Sequence, residues 1–336
     1  VSLVDAQQLT DLVVRALVRS NTSEDNARCV ARALVAADLD GLTSHGVSRL
    51  PSYADQALSG KVDGQATADV HIAAPAVVRS NACCGFAFPA IEDGMKAALE
   101  RLQEVGAVAL AVRNSHHFGV AGHHVERAAE QGAVALAFGN SPAAIAPWGG
   151  AAAVYGTNPI AFATPRLEQP SLVVDLSLSK VARGKVMVAR DRGEAIPDNW
   201  ALNAAGEPTT DPQAVLGGGT MLPLGDAKGA ALALAVEIMA AGLTGAQFGF
   251  EASSFFTAEG DPPRVGQLFL LFDPIKMAGA DYYQRLELLL TAITGQAGAR
   301  LPGERRLLNR SHNLENGLDI PDTLYEEIER RADGRD

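Results

Sequence analysis

Within Thr43-Ser44-His45-Gly46-Val47-Ser48-Arg49 the chain gathers a hydroxyl, an imidazole and a guanidinium. If Ser44 caps a new helix, His45 and Arg49 stand four apart and share a face. An imidazole so placed is a proton donor, and the guanidinium beside it is a fork that grips a carboxylate through two parallel hydrogen bonds. The same letters also spell an ordinary turn after a helix, and Pro51 can break or kink a helix begun at Ser44. Adjacent side chains at a helix start do not face each other, so Ser44 and His45 are not expected to make a nucleophile–base pair. No G-x-S-x-G elbow supports a serine hydrolase either.

Four of the seven histidines fall in His116-His117 and His123-His124. Imidazole binds zinc and iron well, yet the pairs match no H-E-x-x-H motif and Glu126 is the one close acid. No metal is expected. Solvated or cofactor-stacking histidines are the better reading, with a metal-dependent hydrolase as the remote alternative. In the middle third, short apolar runs end in polar tips: Asn140 and Ser141, Thr157 and Asn158, then Asp175, Ser177 and Ser179. Loops at strand ends commonly hold ligands, although turns need the same residue types. Lys228-Gly229 opens an alanine-rich helix through Ala241, and a lysine at a helix N-terminus suits an anion such as phosphate.

The elements that must carry these groups begin with a helix after Asp5, striped by Leu9, Leu12, Val13, Ala16 and Leu17. A second starts at Ser23 and closes over Asp38 to Gly41. Tyr53 to Leu58 read as a short helix stopped by Gly60. Asp69 to Arg79 turn to strand, and a helix runs from Pro89 to Glu104. Val105–Val112 is a buried-strand run that Gly132–Phe138 repeats after an intervening helix, which suggests a β-α-β unit with a parallel pair. No G-x-G-x-x-G comes after either strand, so the dinucleotide fingerprint of the doubly wound fold is missing. Gly245 to Pro263 form a long excursion with Phe248, Phe250, Phe255 and Phe256 as packing aromatics. Gln267–Asp273 is a strand and Asp281–Ile293 a helix. Arg300–Arg306 reads as a compact charged loop before a last helix capped near Asp322.

The bulk properties narrow the field. A chain of 336 residues buries a sizeable core. Twenty-eight basic against thirty-nine acidic residues leave −11, and no basic cluster with interleaved aromatics marks a nucleic-acid footprint. A site can still be locally positive for a small anion. Three cysteines, two of them adjacent, make neither a disulfide framework nor a zinc cage. No run reaches the roughly 18 apolar residues of a membrane span, and the start is unlike a signal peptide. The expectation is a soluble, cytoplasmic protein without membrane or nucleic-acid partners.

Taken together and in order, SHGVSRLPSY (44–53), NSHHFGVAG (114–122), GNSPAAIAPWGG (139–150), GTNPIAFATP (156–165), LPLGDAKG (222–229) and LPGERR (301–306) resemble the malate/L-lactate dehydrogenase family. The likeness covers nearly the whole chain. It implies an α/β protein: a non-Rossmann NAD(P)-binding domain on a mostly antiparallel sheet, against a helical domain built from both chain ends. A homodimer and NADPH or NADH as cofactor are implied too. The segments are then a helical module over 1–65, a cofactor-binding region over 66–275 and a helical part over 276–336 packing on the module. An antiparallel sheet would also set aside the parallel direction read for the β-α-β pair.

By the same resemblance His45 is the proton donor with Ser44 supporting it, Arg49 grips a small carboxylate substrate and Thr157 touches it. His117, Phe118, Gly119, Val120, Ala121, Asp175, Leu176, Ser177, Lys228, Pro302, Gly303, Glu304 and Arg305 line the cofactor. Within the family the chain looks most like the Δ1-pyrroline/Δ1-piperideine-2-carboxylate reductases, which implies reduction of a cyclic 2-imino acid. A 2-hydroxy acid dehydrogenase of malate, lactate or ureidoglycolate type is the alternative. One departure bears on that choice: those reductases carry an acid where Lys185 stands after Ala182-Arg183-Gly184, and a cation beside His45 would lower its pKa. Arg183 and Arg305 are eligible partners for a 2′-phosphate.

Overall fold

In the computed structural model, which describes residues 1–334, the chain opens with β1 (Ser2–Val4), α1 (Ala6–Arg19), α2 (Glu24–Leu39) and α3 (Leu50–Ser59). Asp5 caps α1 by accepting from Gln7 and Gln8, and Ser23 caps α2 from Asn26. The expected stripe of α1 is buried throughout. Between α2 and α3 the Ser44 reading is corrected. Ser44 caps no α-helix; Thr43–His45 and Val47–Arg49 are two single 3-10 turns separated at Gly46, and Pro51 sits harmlessly in the first turn of α3.

Next come β2 (Asp69–Ala74), β3 (Val77–Asn81), α4 (Ala87–Val105), β4 (Ala107–Ser115), α5 (Ala121–Glu130), β5 (Val134–Gly139), β6 (Ile160–Thr164) and β7 (Leu172–Leu176). The single strand expected over 69–79 is a hairpin turning at Pro75-Ala76. After α6 (Arg183–Arg192), β8 (Ala201–Leu202), α7 (Pro212–Leu216) and β9 (Thr220–Met221), α8 (Asp226–Glu237) continues into a π-helical turn over Ile238–Gly242. The chain ends with β10 (Val265–Phe272), α9 (Pro274–Ala278), α10 (Tyr282–Thr294), α11 (Glu304–Asn316), β11 (Leu318–Ile320) and α12 (Asp322–Asp333). Helix α11 departs from the expectation: the charged loop at 300–306 leads straight into it. Residues 335 and 336 of the C-terminal segment lie outside the described residues.

The fold is mixed α/β around a seven-stranded sheet in the order β2-β3-β4-β10-β5-β6-β7. Every pairing in it is antiparallel except β3 with β4, which α4 connects. The parallel pair read into 105–138 is therefore corrected. Strands β4 and β5 do run the same way, but β10 lies between them, antiparallel to both. The sheet's core is Ala135, Ala137, Ala161 and Ala163 under Val125, Ala128 and Ala129 of α5, small residues that let helix and sheet approach closely. A second core joins the chain ends, with Leu9, Val13, Leu34 and Leu50 packed with Leu318, Ile320 and Ile328. A third gathers Ile145, Leu178, Val186, Met221 and Val236.

Candidate active site

A cleft of about 870 Å³ runs between the first helical core and the sheet, from His45 and His117 at one end to Arg300 and Arg305 at the other. The loop Phe118–Val120 and the N-terminus of α5 form one wall, β7 through Asp175, Leu176 and Ser177 a second, and Leu301–Arg306 a third. Ser141 and Thr157 reach it from the loops bordering β5 and β6. The structure thus brings together residues spread from 40 to 309 in sequence.

The turn that carries His45 is set by α2. Asp38 accepts the Val47 N–H at 2.7 Å, and a Cβ at Gly46 would lie only 2.1–2.3 Å from the Asp38 carboxyl atoms. Gly46 has ordinary φ, so it is close approach and not backbone conformation that calls for glycine there. Ser44 Oγ lies 3.0 Å from His45 Nδ1, which corrects the expectation that these neighbours cannot face each other. The contact engages Nδ1 and leaves Nε2 to the cleft. Burial, then Arg49 and His123, push the His45 pKa down to about 4, so the imidazole is neutral near pH 7. The Lys185 ammonium is exposed and is not among the groups that lower it, although a Cβ placed on neighbouring Gly184 would come within 3.8 Å of Ser44 Cβ.

Arg49 and Ser44 stand just behind the cleft lining. Arg49 donates Nε to the Ser44 carbonyl at 2.7 Å and lies over the Phe256 ring at 4.6 Å. It makes no ion pair, and half-buried Arg183 likewise has no hydrogen-bonded or ionic partner among the described residues. The Arg49 guanidinium, without a counter-charge, is tied to the Ser44–His45 turn through the Ser44 carbonyl. Such a group suits an anionic ligand.

The histidine segment is not solvated, and that part of its reading is corrected. His117 stacks on His45 at 5.6 Å, its Nδ1 is 2.6 Å from the Tyr53 hydroxyl, and burial together with Arg49 holds its pKa well below normal. His116 is buried behind it. Gln56 gives its amide N–H groups to the Ser52 and Phe255 carbonyls, so its oxygen faces His116 Nε2 at 3.0 Å and that nitrogen carries the proton. His124 stacks on Phe118 and bonds the Phe118 carbonyl. His123 meets Asp40 and Glu126 in a grouping that could hold a metal by distance. Arg306 and Arg310 already neutralise both carboxylates, so the cluster is an ion-pair network with its charge satisfied. Phe255 packs as expected, whereas Phe256 is exposed beneath the Arg49 guanidinium and Phe250 is exposed and stacks on Phe248.

The walls offer a dinucleotide a left-handed Gly119 that lets the backbone turn onto Phe88, the start of α5, whose Gly122 N–H donates to the Asp175 carboxylate at 2.7 Å, and cations at 300 and 305. Burial raises the Asp175 pKa. Ser177 Oγ touches Ser179 and the Thr157 carbonyl, and Thr157 N–H bonds Ser141. Glu304 is turned back to cap Leu301 N–H. Lys228, by contrast, is exposed on the first turn of α8 and outside the lining; Leu224 N–H to the Leu178 carbonyl places that turn next to Ser177–Leu178. Sequence reasoning passed over Asp38, Asp40, Tyr53 and Gln56. A usable signal existed for Tyr53 alone, four residues after Arg49.

The family model for malate/L-lactate dehydrogenase matches residues 4–329. The chain is 51% identical to a (2R)-3-sulfolactate dehydrogenase (NADP(+)) of Chromohalobacter salexigens, covering 99% of both proteins. It is 39% identical to a Δ1-pyrroline-2-carboxylate/Δ1-piperideine-2-carboxylate reductase of Pseudomonas syringae pv. tomato, over 98% of this chain and 96% of that one. The crystal structure of the Δ1-piperideine-2-carboxylate reductase from the same organism superposes with TM-score 0.94 over 98% and 100% of the two chains, at 39% identity. With near-complete coverage by the family model and by relatives of this similarity, the chain belongs to the malate/L-lactate dehydrogenase family.

Proposed function

We propose that this NAD(P)-dependent oxidoreductase interconverts a small 2-oxo acid and its 2-hydroxy acid, the substrate carrying a second anionic group of sulfonate or carboxylate type. The observation that carries the reading is Arg49, a guanidinium without an ionic partner among the described residues, tied to the Ser44 carbonyl just behind the cleft that His45 lines. The 51% identity to a sulfolactate dehydrogenase supports it, as does Lys185 in place of the acid of the imine reductases.

The nicotinamide, when bound, supplies or accepts the hydride. His117–Ala121, Asp175–Ser177 and Pro302–Arg305 would hold the cofactor, with Lys228 approaching from α8 and Thr157 touching the substrate. Arg49 fixes the substrate carboxylate. Neutral His45 is set to take the proton of a 2-hydroxy acid through Nε2. In the other direction the substrate's own negative charge raises the imidazole pKa, so that His45 delivers a proton to the developing alkoxide. Ser44 holds Nδ1 and fixes the ring. The long side of the cleft ends at Arg300 and Arg305, where a 2′-phosphate would find its counter-charge, with Arg183 as the other eligible group.

A second reading, reduction of a cyclic 2-imino acid, is supported by the 39% identity and the 0.94 superposition. One assay at 340 nm separates them: 3-sulfopyruvate, oxaloacetate, pyruvate, pyrroline-2-carboxylate and piperideine-2-carboxylate, each with NADPH and NADH. The dianionic 2-oxo acids should lead both imines in kcat/KM by more than about tenfold, or 1.4 kcal/mol of transition-state binding. Imines ahead by that margin reverse the assignment.

We also infer three segments, 1–65, 66–275 and 276–336, working as a homodimer in a reducing cytoplasm. Support comes from three free cysteines and from apolar Leu232, Leu234, Ile238 and Leu243 exposed around α8. Among the described residues, no helix is long and apolar enough to cross a membrane.

A further inference from the structure

Helix α11 buries none of its residues, yet the segment just before it walls the cleft. What holds it is polar. At three- and four-residue spacing Arg306, Asn309, Arg310 and Asn313 form one stripe facing the C-terminal turn of α2. Asn313 donates to the Asp38 and Leu39 carbonyls and Asn309 to the Asp40 carbonyl, so α11 supplies partners for the carbonyls that end α2. The two arginines then share two carboxylates. Arg310 reaches Asp40 through Nε at 2.6 Å and a terminal nitrogen at 2.9 Å, while Arg306 clasps Glu126 with 2.7 and 2.8 Å bonds and reaches Asp40 at 2.9 Å. Arg310 also bonds Glu126 at 2.9 Å, and His123 reaches Asp40 at 2.7 Å. The Asp40 side chain is wholly buried and Glu126 nearly so. Asp40 ends α2 and Glu126 lies on α5, so the network joins helical core, sheet layer and cleft wall at one point.

We propose that this stripe is a latch: Arg310, Glu126 and Asn313 are positioning residues that hold the Leu301–Arg305 wall at the distance the cofactor requires. Leu301 to Gly303 have no other anchor of comparable strength; Glu304 caps Leu301 from within the same loop. Two fork-shaped pairs that exclude water hold a fixed geometry that a lysine's point charge cannot reproduce. Among the described residues α11 buries no apolar side chain, Leu308 and Leu314 being exposed, so the polar stripe is what seats it. The inference rests on the reading of the cleft as the dinucleotide site.

The test uses the full chain and NADPH itself. NADPH binding to the wild type, monitored by cofactor fluorescence, is read first; no binding there overturns the cleft assignment and leaves nothing to latch. Given binding, Arg310→Lys, which keeps the charge and lies outside the lining, should raise the Kd for NADPH by between about ten- and a hundredfold. At saturating NADPH its kcat and its KM for the acid substrate should stay within twofold. Amide exchange of residues 301–316 should accelerate while that of β4, β5 and β10 does not. Asn313→Ala is the gentler variant should Arg310→Lys fail to fold, with a rise of about three- to tenfold expected. An unchanged Kd in a folded variant overturns the latch. So does a uniform fall in every kinetic parameter with the folded fraction, the signature of a merely structural role.

Discussion

Gly46→Ala tests whether α2 places the turn that carries His45. The new methyl carbon would lie 2.1–2.3 Å from three atoms of the Asp38 carboxyl group, where an ordinary contact needs about 3.5 Å, so the turn and the carboxylate must part by more than about 1 Å. Overpacking of that kind costs about 1–3 kcal/mol, and losing the Val47 N–H bond to a charged acceptor adds about 1.5–3 kcal/mol. The variant should therefore lose about 3–6 kcal/mol of stability if neither side relaxes. A misplacement of His45 by about 1 Å should lower kcat by about 10²-fold. Asp38→Ala alone strands the Val47 N–H, at about 1–3 kcal/mol. In the double variant the methyl enters vacated space, so the two losses should fall short of additivity by at least about 1.5 kcal/mol. Urea unfolding at pH 7.5 gives the stabilities and cofactor oxidation at 340 nm the rates. Gly46→Ala with kcat within twofold of wild type and stability within about 0.5 kcal/mol would refute the argument, as would strict additivity in the cycle.

His45→Ala should lose about 10²- to 10⁴-fold in kcat with the Kd of the cofactor unchanged; near-normal turnover removes it from the chemistry. Stability should also fall as pH drops from about 6.5 to 5. Buried His116 and His124 have pKa values pushed down to about 3 and about 4, so the unfolded chain takes up protons first and each group costs up to about 1.4 kcal/mol per pH unit. Asp38, raised to about 6, titrates with the opposite sign and offsets about one of them, while His117 adds to the loss. Urea midpoints at pH 7, 6 and 5 measure it, and a flat or rising series contradicts the burial argument.

Much of the fold could be read because apolar pattern and burial coincide. The stripe of α1 is buried as expected, and the run that became β10 is buried at Gln267, Leu268, Phe269 and Leu271. The errors share a cause in contacts between distant residues. Strand β10 enters between β4 and β5 from more than a hundred residues further on, and no local period announces such an insertion. The break at Gly46 is dictated by Asp38, eight positions earlier, and it is this break that turns Ser44 onto His45. Helix α11 escaped because its burial is polar. An Arg-x-x-Asn-Arg-x-x-Asn stripe has helical spacing, but it announces a partner only when the partner's carboxylates are known.

The histidines show why residue type alone misled. Four imidazoles within nine positions suggest either a metal or solvent, yet each is assigned by a neighbour the sequence does not place beside it: Gln56, Tyr53, Asp40 and the Phe118 carbonyl. Burial keeps His116, His117 and His124 neutral, and neutral rings can pack as aromatics against Phe255, Phe269 and Tyr53 without bringing counter-ions. His45 is stacked on that neutral cluster, and of its rings His117 alone lines the cleft with it. On the proposed function an anion entering beside Arg49 meets His45, whose Nδ1 Ser44 engages, and His117, whose Nδ1 Tyr53 engages, while His116 and His124 lie outside the lining. Substrate-linked protonation is thus left, on that function, to the rings at the cleft, because burial removes His116 and His124 from it.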